Sequence, residues 1–200
     1  MVSLVVFRDE MTVNSWLDTF YLPDKLALID FDEIWDLHPE NQNKIFIYGE
    51  EKTIPRYQKS YIRDYEFSGA TSKSDPLPDL LKPFLKWINR LDYGKFNQFL
   101  LNWYENGENY IGSHADDEKQ LVPNSPIVTI TLCEEGLVRV FRVRDKKTKK
   151  IVQDIETPNG IVLVMGGHFQ KEFKHEIVKM TGSKAPKAGR RISITLRQFK

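Results

Sequence analysis

The sequence predicts an α+β protein whose C-terminal half is a jelly roll or sandwich. Three observations predict it. From Phe96 onward, the runs 97–104, 125–132, 137–143, 151–155, 160–165 and 190–197 are short and alternating, separated by Gly, Pro, Asn or charged turns. Ahead of them, Leu80, Leu81, Phe84, Leu85, Ile88 and Leu91 recur at helical spacing. Further upstream, residues 44–68 form an aromatic and basic stretch with hairpin signals. The expected organisation is an N-terminal extension over 1–94, carrying the hairpin and the helix, and a β core over 95–200. Together they make one compact domain.

Two hundred residues with 40% hydrophobic and 12% aromatic content suffice for one buried core. A net charge of +1 leaves any affinity for nucleic acid to local patches. The one cysteine, Cys133, excludes an intrachain disulfide framework and sits in an alternating apolar run, where core packing is its expected role. No apolar run approaches the roughly 18 residues of a membrane span. There is also no basic-then-apolar leader, so a soluble intracellular protein is expected, with nucleus and cytoplasm both open. Nothing demands a partner subunit, and a monomer is expected.

In the N-terminal layer, Asp9–Phe20 reads as a short helix ending before Pro23, and Ile34, Trp35 and Leu37 read as buried anchors. His38, before Pro39, reads as a turn residue. KIFIYG reads as a strand, Gly49-Glu50-Glu51 as a turn, and TIPRYQ as the returning strand, with Pro55 marking an edge. This stretch interleaves Tyr48, Tyr57, Tyr61 and Tyr65 with Arg56, Lys59 and Arg63, a composition that stacks bases and neutralises phosphates. Aromatics are also simply good strand formers with one face buried, and composition leaves both readings open. Pro83 fits only the first turn of the following helix, and Gly94 closes it. The charged tract 144–150 reads as a hairpin tip.

The chemistry gathers in 102–118, NWYENGENYIGSHADDE. His114 and Asp116 lie two apart, on one face of an extended segment, and supply two legs of a 2-His-1-carboxylate triad of the kind that holds non-heme Fe(II). His168 and His175 are both candidates for the third leg. His175 is favoured because it begins the strand-like run HEIVKM, whereas His168 follows Gly166-Gly167. In the last strand, Arg191, Ser193, Thr195 and Arg197 share one face, and Ile192, Ile194 and Leu196 share the other. Two inward arginines need an anion, and a dicarboxylate would satisfy them; arginines in water on an amphipathic strand is the alternative. Asn102 and Tyr104, also two apart, can donate further hydrogen bonds.

Taken together, Asn102-x-Tyr104, His114-x-Asp116-x-Glu118, the distal His175 and Arg191-x-x-x-Thr195-x-Arg197 resemble the AlkB family of Fe(II)/2-oxoglutarate dioxygenases. The resemblance covers roughly 44–200 and is closest to members that repair alkylated DNA, with IYG at 47–49, IPRYQ at 54–58, YEFSG at 65–69 and PNSPIVTITL at 123–132. Ser193 stands where many members have Asn, and Ala115 where a longer polar side chain is common.

The resemblance implies a double-stranded β-helix core with N-terminal helices and a nucleotide-recognition β-hairpin region. Fe(II) would be held by His114, Asp116 and His175. 2-Oxoglutarate would be bound by Asn102, Tyr104, Thr195 and by Arg191 or Arg197, with O2 as co-reactant. The implied reaction is oxidative demethylation of 1-methyladenine or 3-methylcytosine in DNA, releasing formaldehyde, succinate and CO2. It further implies that Tyr65 and Phe67 contact a flipped base, that Asp117 and Glu118 recognise it, and that Tyr48 acts as a wedge with Arg56 and Gln58 beside it. RNA as substrate, or the same chemistry on a protein or lipid, are the alternatives.

Overall fold

The computed structural model describes residues 6–47, 50–67 and 70–200, with backbone alone at 46, 47, 67 and 70. Two sheets face each other. The large one runs, in spatial order, Phe7–Glu10, Ser15–Tyr21, Ile161–Gly167, Ile127–Cys133, Arg191–Arg197, Gln98–Tyr104, Tyr57–Tyr61 and Ser74–Asp75. The small one runs Ile111–His114, Phe173–Ile177, Arg139–Asp145 and Ile151–Thr157. All six runs read from the sequence after Phe96 are strands, and the arrangement is a jelly roll. Residues 1–94 contribute four of the eight strands of the large sheet, so the N-terminal part is woven into it.

Period-two alternation assigns the two faces of the large sheet. Ile192, Ile194 and Leu196, with Phe99, Leu101 and Trp103, bury against Ile34, Trp35, Leu81, Phe84 and Ile88 from the helical layer. The opposite face looks toward the small sheet, where Leu17, Tyr104, Ile127, Phe141, Val143, Leu163 and Met165 form a second cluster. Both faces are therefore covered, and every residue of Gln98–Tyr104 and Arg191–Arg197 is buried. The helix Lys82–Ile88, entered through the 3-10 turn Asp79–Leu81 with Pro83 in its first turn, supplies the helical side.

Two expectations are corrected. Asp9–Phe20 is not a helix: Phe7–Glu10 and Ser15–Tyr21 form an antiparallel ribbon, whose second strand pairs with Ile161–Gly167. Trp16 and Phe20 pack toward the helical layer and Leu17 toward the small sheet, a division by period two. The buried Asp18 carboxylate takes Arg8 at 2.6 and 2.7 Å and the Tyr93 hydroxyl at 2.7 Å, long-range bonds that no local pattern announces. Secondly, the partner of Lys44–Ile47 is Glu50–Thr53, not TIPRYQ. Pro55 lacks an N–H for the ladder, and the chain leaves the ribbon there to pair Tyr57–Tyr61 with Gln98–Tyr104. The tract after Asp145 is a hairpin tip, with the Asp145 carboxylate accepting from the amides of Lys147 and Thr148.

Candidate metal centre and cosubstrate pocket

The small sheet sets the two histidines against each other. Ile111–His114 pairs with Phe173–Ile177 so that His114 lies opposite His175, with ring centroids 4.3 Å apart. Phe141 stacks on the His175 ring at 5.2 Å and 17°. His114 Nδ1 lies 2.9 Å from the Gly112 carbonyl oxygen; donating there fixes the tautomer and leaves Nε2 as a lone pair, 3.7 Å from Asp116 Oδ1. Potential ligand atoms of His114, Asp116 and His175 all lie within 4.8 Å of one another. His168 instead precedes the short helix Phe169–Glu172 and is not part of this cluster.

The charges suit a divalent cation. Burial lowers the His175 imidazole to about 3, helped by His114, and lowers His114 as well. Both rings are therefore neutral, as metal ligands must be. Burial pushes the Asp116 carboxyl upward, but Arg197 and the two histidines outweigh it and hold it near 2. Arg197 Nη2 reaches Asp116 Oδ1 at 3.0 Å and Nη1 reaches Gln98 Oε1 at 3.1 Å. The Asp116 amide donates to Gln170 Oε1 at 2.9 Å, which fixes the chain on the other side of the carboxylate. Among the described residues, His175 Nδ1 is buried without a hydrogen-bond partner. Two neutral imidazoles and one anion, with a polar ring atom unsatisfied, fit a facially bound Fe(II).

The pocket over this triad is lined on the large-sheet side by Asn102, Tyr104, Thr129, Ser193, Thr195 and Arg197, and at its edge by Arg56, Gln58 and Tyr65. Register explains the grouping: Gln58 lies beside Asn102, Asn102 beside Ser193, and Ser193 beside Thr131 across three ladders. Ser193 and Thr129 hydroxyls share a hydrogen bond of 2.9 Å. Arg56 Nε donates to Asn102 Oδ1 at 2.8 Å, so Arg56 is a buried wall residue of this pocket. Arg191 lies behind Tyr104, its guanidinium 5.1 Å from the ring centre and Nη2 donating to Thr131 Oγ1 at 2.8 Å.

Tyr65 is buried with the Arg197 guanidinium 4.6 Å from its ring centre, which ties the 65–67 strand to the triad. Burial raises the Glu118 carboxyl, opposed by Arg197 and by a hydrogen bond from Tyr65. Asp117 is exposed and lies 3.6 Å from Lys146. Tyr48 and the Phe67 side chain lie outside the described residues. Sequence reading missed Arg139, Gln98 and Gln170. Arg139 carried a signal, an arginine sharing the apolar face of Phe141 and Val143 in RVFRVRD; the two glutamines carried none.

Residues 40–197 match the 2OG-Fe(II) oxygenase superfamily. The chain is 27% identical to the DNA oxidative demethylase ALKBH2 of Mus musculus over 163 residues, covering 78% of this chain and 66% of that protein. The chain belongs to the AlkB family of that superfamily. It is also 28% identical over 145 residues to the α-ketoglutarate-dependent dioxygenase alkB homolog 3 of Homo sapiens, covering 66% of this chain and 47% of that protein. This AlkB chain thus spans less than two thirds of the length of these relatives. Its fold matches the solved structure of OsALKBH1, with a TM-score of 0.61 at 15% identity, over 98% of this chain and 100% of that one. Among the described residues no helix is long and apolar enough to cross a membrane.

Proposed function

We propose that the protein is an Fe(II)/2-oxoglutarate-dependent dioxygenase that removes N-methyl groups from 1-methyladenine and 3-methylcytosine in DNA. The observation that carries this reading is the neutral His, anionic Asp, neutral His cluster opening onto a pocket of buried hydrogen-bonding side chains. His114, Asp116 and His175 hold the metal. Asn102, Tyr104 and Thr195 face the cosubstrate. Arg197 is engaged by Asp116, so Arg191, whose Nε and Nη1 lack hydrogen-bond partners among the described residues, is the better placed for the far carboxylate. When bound, Fe(II) with 2-oxoglutarate and O2 supplies an oxidation that places one oxygen on the N-methyl carbon and yields succinate and CO2. The resulting N-hydroxymethyl group loses its hydroxyl proton to the ring nitrogen and leaves as formaldehyde.

An alkylated base cannot be reached inside a duplex, so it must leave the stack, and a lesion that already blocks pairing lowers that cost. Tyr65 offers a face at the pocket edge, and Glu118, in reach of the same space, can bond the exocyclic amino group of the base. Arg56 and Gln58 form the wall beside Asn102. Asp117 at the rim, Phe67 and Tyr48 complete the base side on the strength of the sequence resemblance. The test is formaldehyde release with Fe(II), 2-oxoglutarate and paired oligonucleotides, methylated and unmethylated. Release from the methylated strand alone supports the reading. Succinate without formaldehyde from any methylated DNA or RNA strand would overturn the nucleic-acid substrate and leave the oxygenase.

A further inference from the structure

Gln98 is fully buried beside Arg197, yet it lies outside the lining of the pocket over the triad. Strand register puts Arg197 on one side of it. On the other side, Ser60 lies beside Leu100, the next residue of the same face. The Gln98 amide is used at both ends: Oε1 accepts from Arg197 Nη1 at 3.1 Å, and Nε2 donates to Ser60 Oγ at 3.2 Å. Ser60 Oγ gives its one proton to the Arg63 carbonyl at 2.7 Å, so toward Gln98 it can only accept. The serine thereby sets which way the amide faces, nitrogen to Ser60 and oxygen to the guanidinium. Turned over, the amide would present its NH2 to a cation. The turn behind Ser60 is itself held. Arg63 Nη1 donates to the Lys200 carbonyl at 2.6 Å, and Ile62 keeps a φ of 73°, which a β-branched residue adopts only where its surroundings over-determine it.

Arg197 depends on this support. Its Nε has no hydrogen-bond partner among the described residues, so Gln98, Asp116 and the Tyr65 ring set the plane of the guanidinium. Held by Gln98 at Nη1, the guanidinium offers Asp116 one nitrogen, Nη2. Released, it is free to turn and close on both carboxylate oxygens, the two-pronged geometry that guanidinium and carboxylate favour. A doubly clasped Asp116 is a poorer metal ligand. We propose that Gln98 is a positioning residue for the metal centre: oriented by Ser60, it holds Arg197 to a single bond with Asp116 and leaves the rest of the carboxylate to the cation. The inference rests on His114, Asp116 and His175 as the metal ligands and is independent of the substrate.

The experiment measures the Mn(II) dissociation constant of the full chain by calorimetry. Gln98→Met keeps the side-chain length and removes both amide bonds, and Mn(II) affinity should fall about 10-fold. Ser60→Ala, too small a change to threaten the fold, should lower it about 3-fold by freeing the amide to turn. A glutamine that only filled space would cost stability and leave the affinity of the folded protein alone. The decisive comparison is therefore a cycle with Arg197→Met. Because Gln98 acts through Arg197, Gln98→Met should change the affinity by less than about 2-fold once Arg197 is gone. An equal loss in both backgrounds, or wild-type affinity in Gln98→Met and Ser60→Ala, would overturn the proposal. If Gln98→Met does not fold, Ser60→Ala carries the same cycle. No saturable Mn(II) binding by the wild type would instead overturn the metal assignment itself, which keeps the two failures apart.

Discussion

Arg197 Nη2 stands 3.0 Å from Asp116 Oδ1, and both side chains are buried, at 3% and 1% exposure. The last-strand arginine thus positions the proposed metal ligand as well as facing the pocket. Removing it strands a buried carboxylate. Arg197→Met should cost the metal-free protein about 3–5 kcal/mol in urea unfolding. A divalent metal, by supplying positive charge to Asp116, should restore part of it. A loss within the few tenths of a kcal/mol typical of surface changes would contradict this role.

Gln170 holds the backbone of Asp116 through the 2.9 Å bond from its amide. Gln170→Leu keeps the side-chain bulk on the helix Phe169–Glu172 and removes that bond. Metal affinity should fall by about 10-fold, the lower end for residues that orient ligands, with stability little changed. Titration of Mn(II) followed by calorimetry reads the effect.

Burial holds His175 near 3, well under its ordinary value of about 6.5. Between those limits the unfolded chain binds a proton at this residue that the folded metal-free protein does not. Stability therefore falls as pH falls from about 6.5 toward 3, with a limiting slope of about 1.4 kcal/mol per pH unit for this one group. His114, lowered in the same direction but partly exposed, adds less. Glu118, raised by burial, acts in the opposite sense at the acid end. Urea unfolding of wild type and His175→Asn from pH 7 to 5 isolates the effect: the difference in their slopes should grow toward one proton as pH 5 is approached, and parallel curves would refute it.

Gly166, the penultimate residue of the strand Ile161–Gly167, lies against the Trp16 ring, where an added Cβ would lie 2.0 Å from Cζ2. Gly166→Ala should cost about 1–3 kcal/mol through overpacking, read as a lowered thermal midpoint.

Much of this was legible in the sequence. The strands after Phe96 announced themselves by alternation, and the arginine face of Arg191–Arg197 does look away from Ile192, Ile194 and Leu196. The HxD pair and a distal histidine were readable as residue types. What placed His175 rather than His168 opposite His114 is strand register, which spacing alone does not encode. The ribbon at 7–21 was misread because its support is a buried Asp18 with partners ten and seventy-five residues away. Arg56 was expected beside the hairpin tip. It lies in the pocket wall because Pro55 turns the chain into the large sheet.

The central claim is that this site oxidises an N-methyl group on a nucleic-acid base. The most direct measurement is the mass of an oligonucleotide bearing one 1-methyladenine or 3-methylcytosine after incubation with the protein, Fe(II), 2-oxoglutarate and O2. The expected result is a strand lighter by one methylene unit with the wild type and an unchanged strand with Asp116→Asn. An unchanged strand with the wild type, while a competent demethylase converts it under the same conditions, would contradict it.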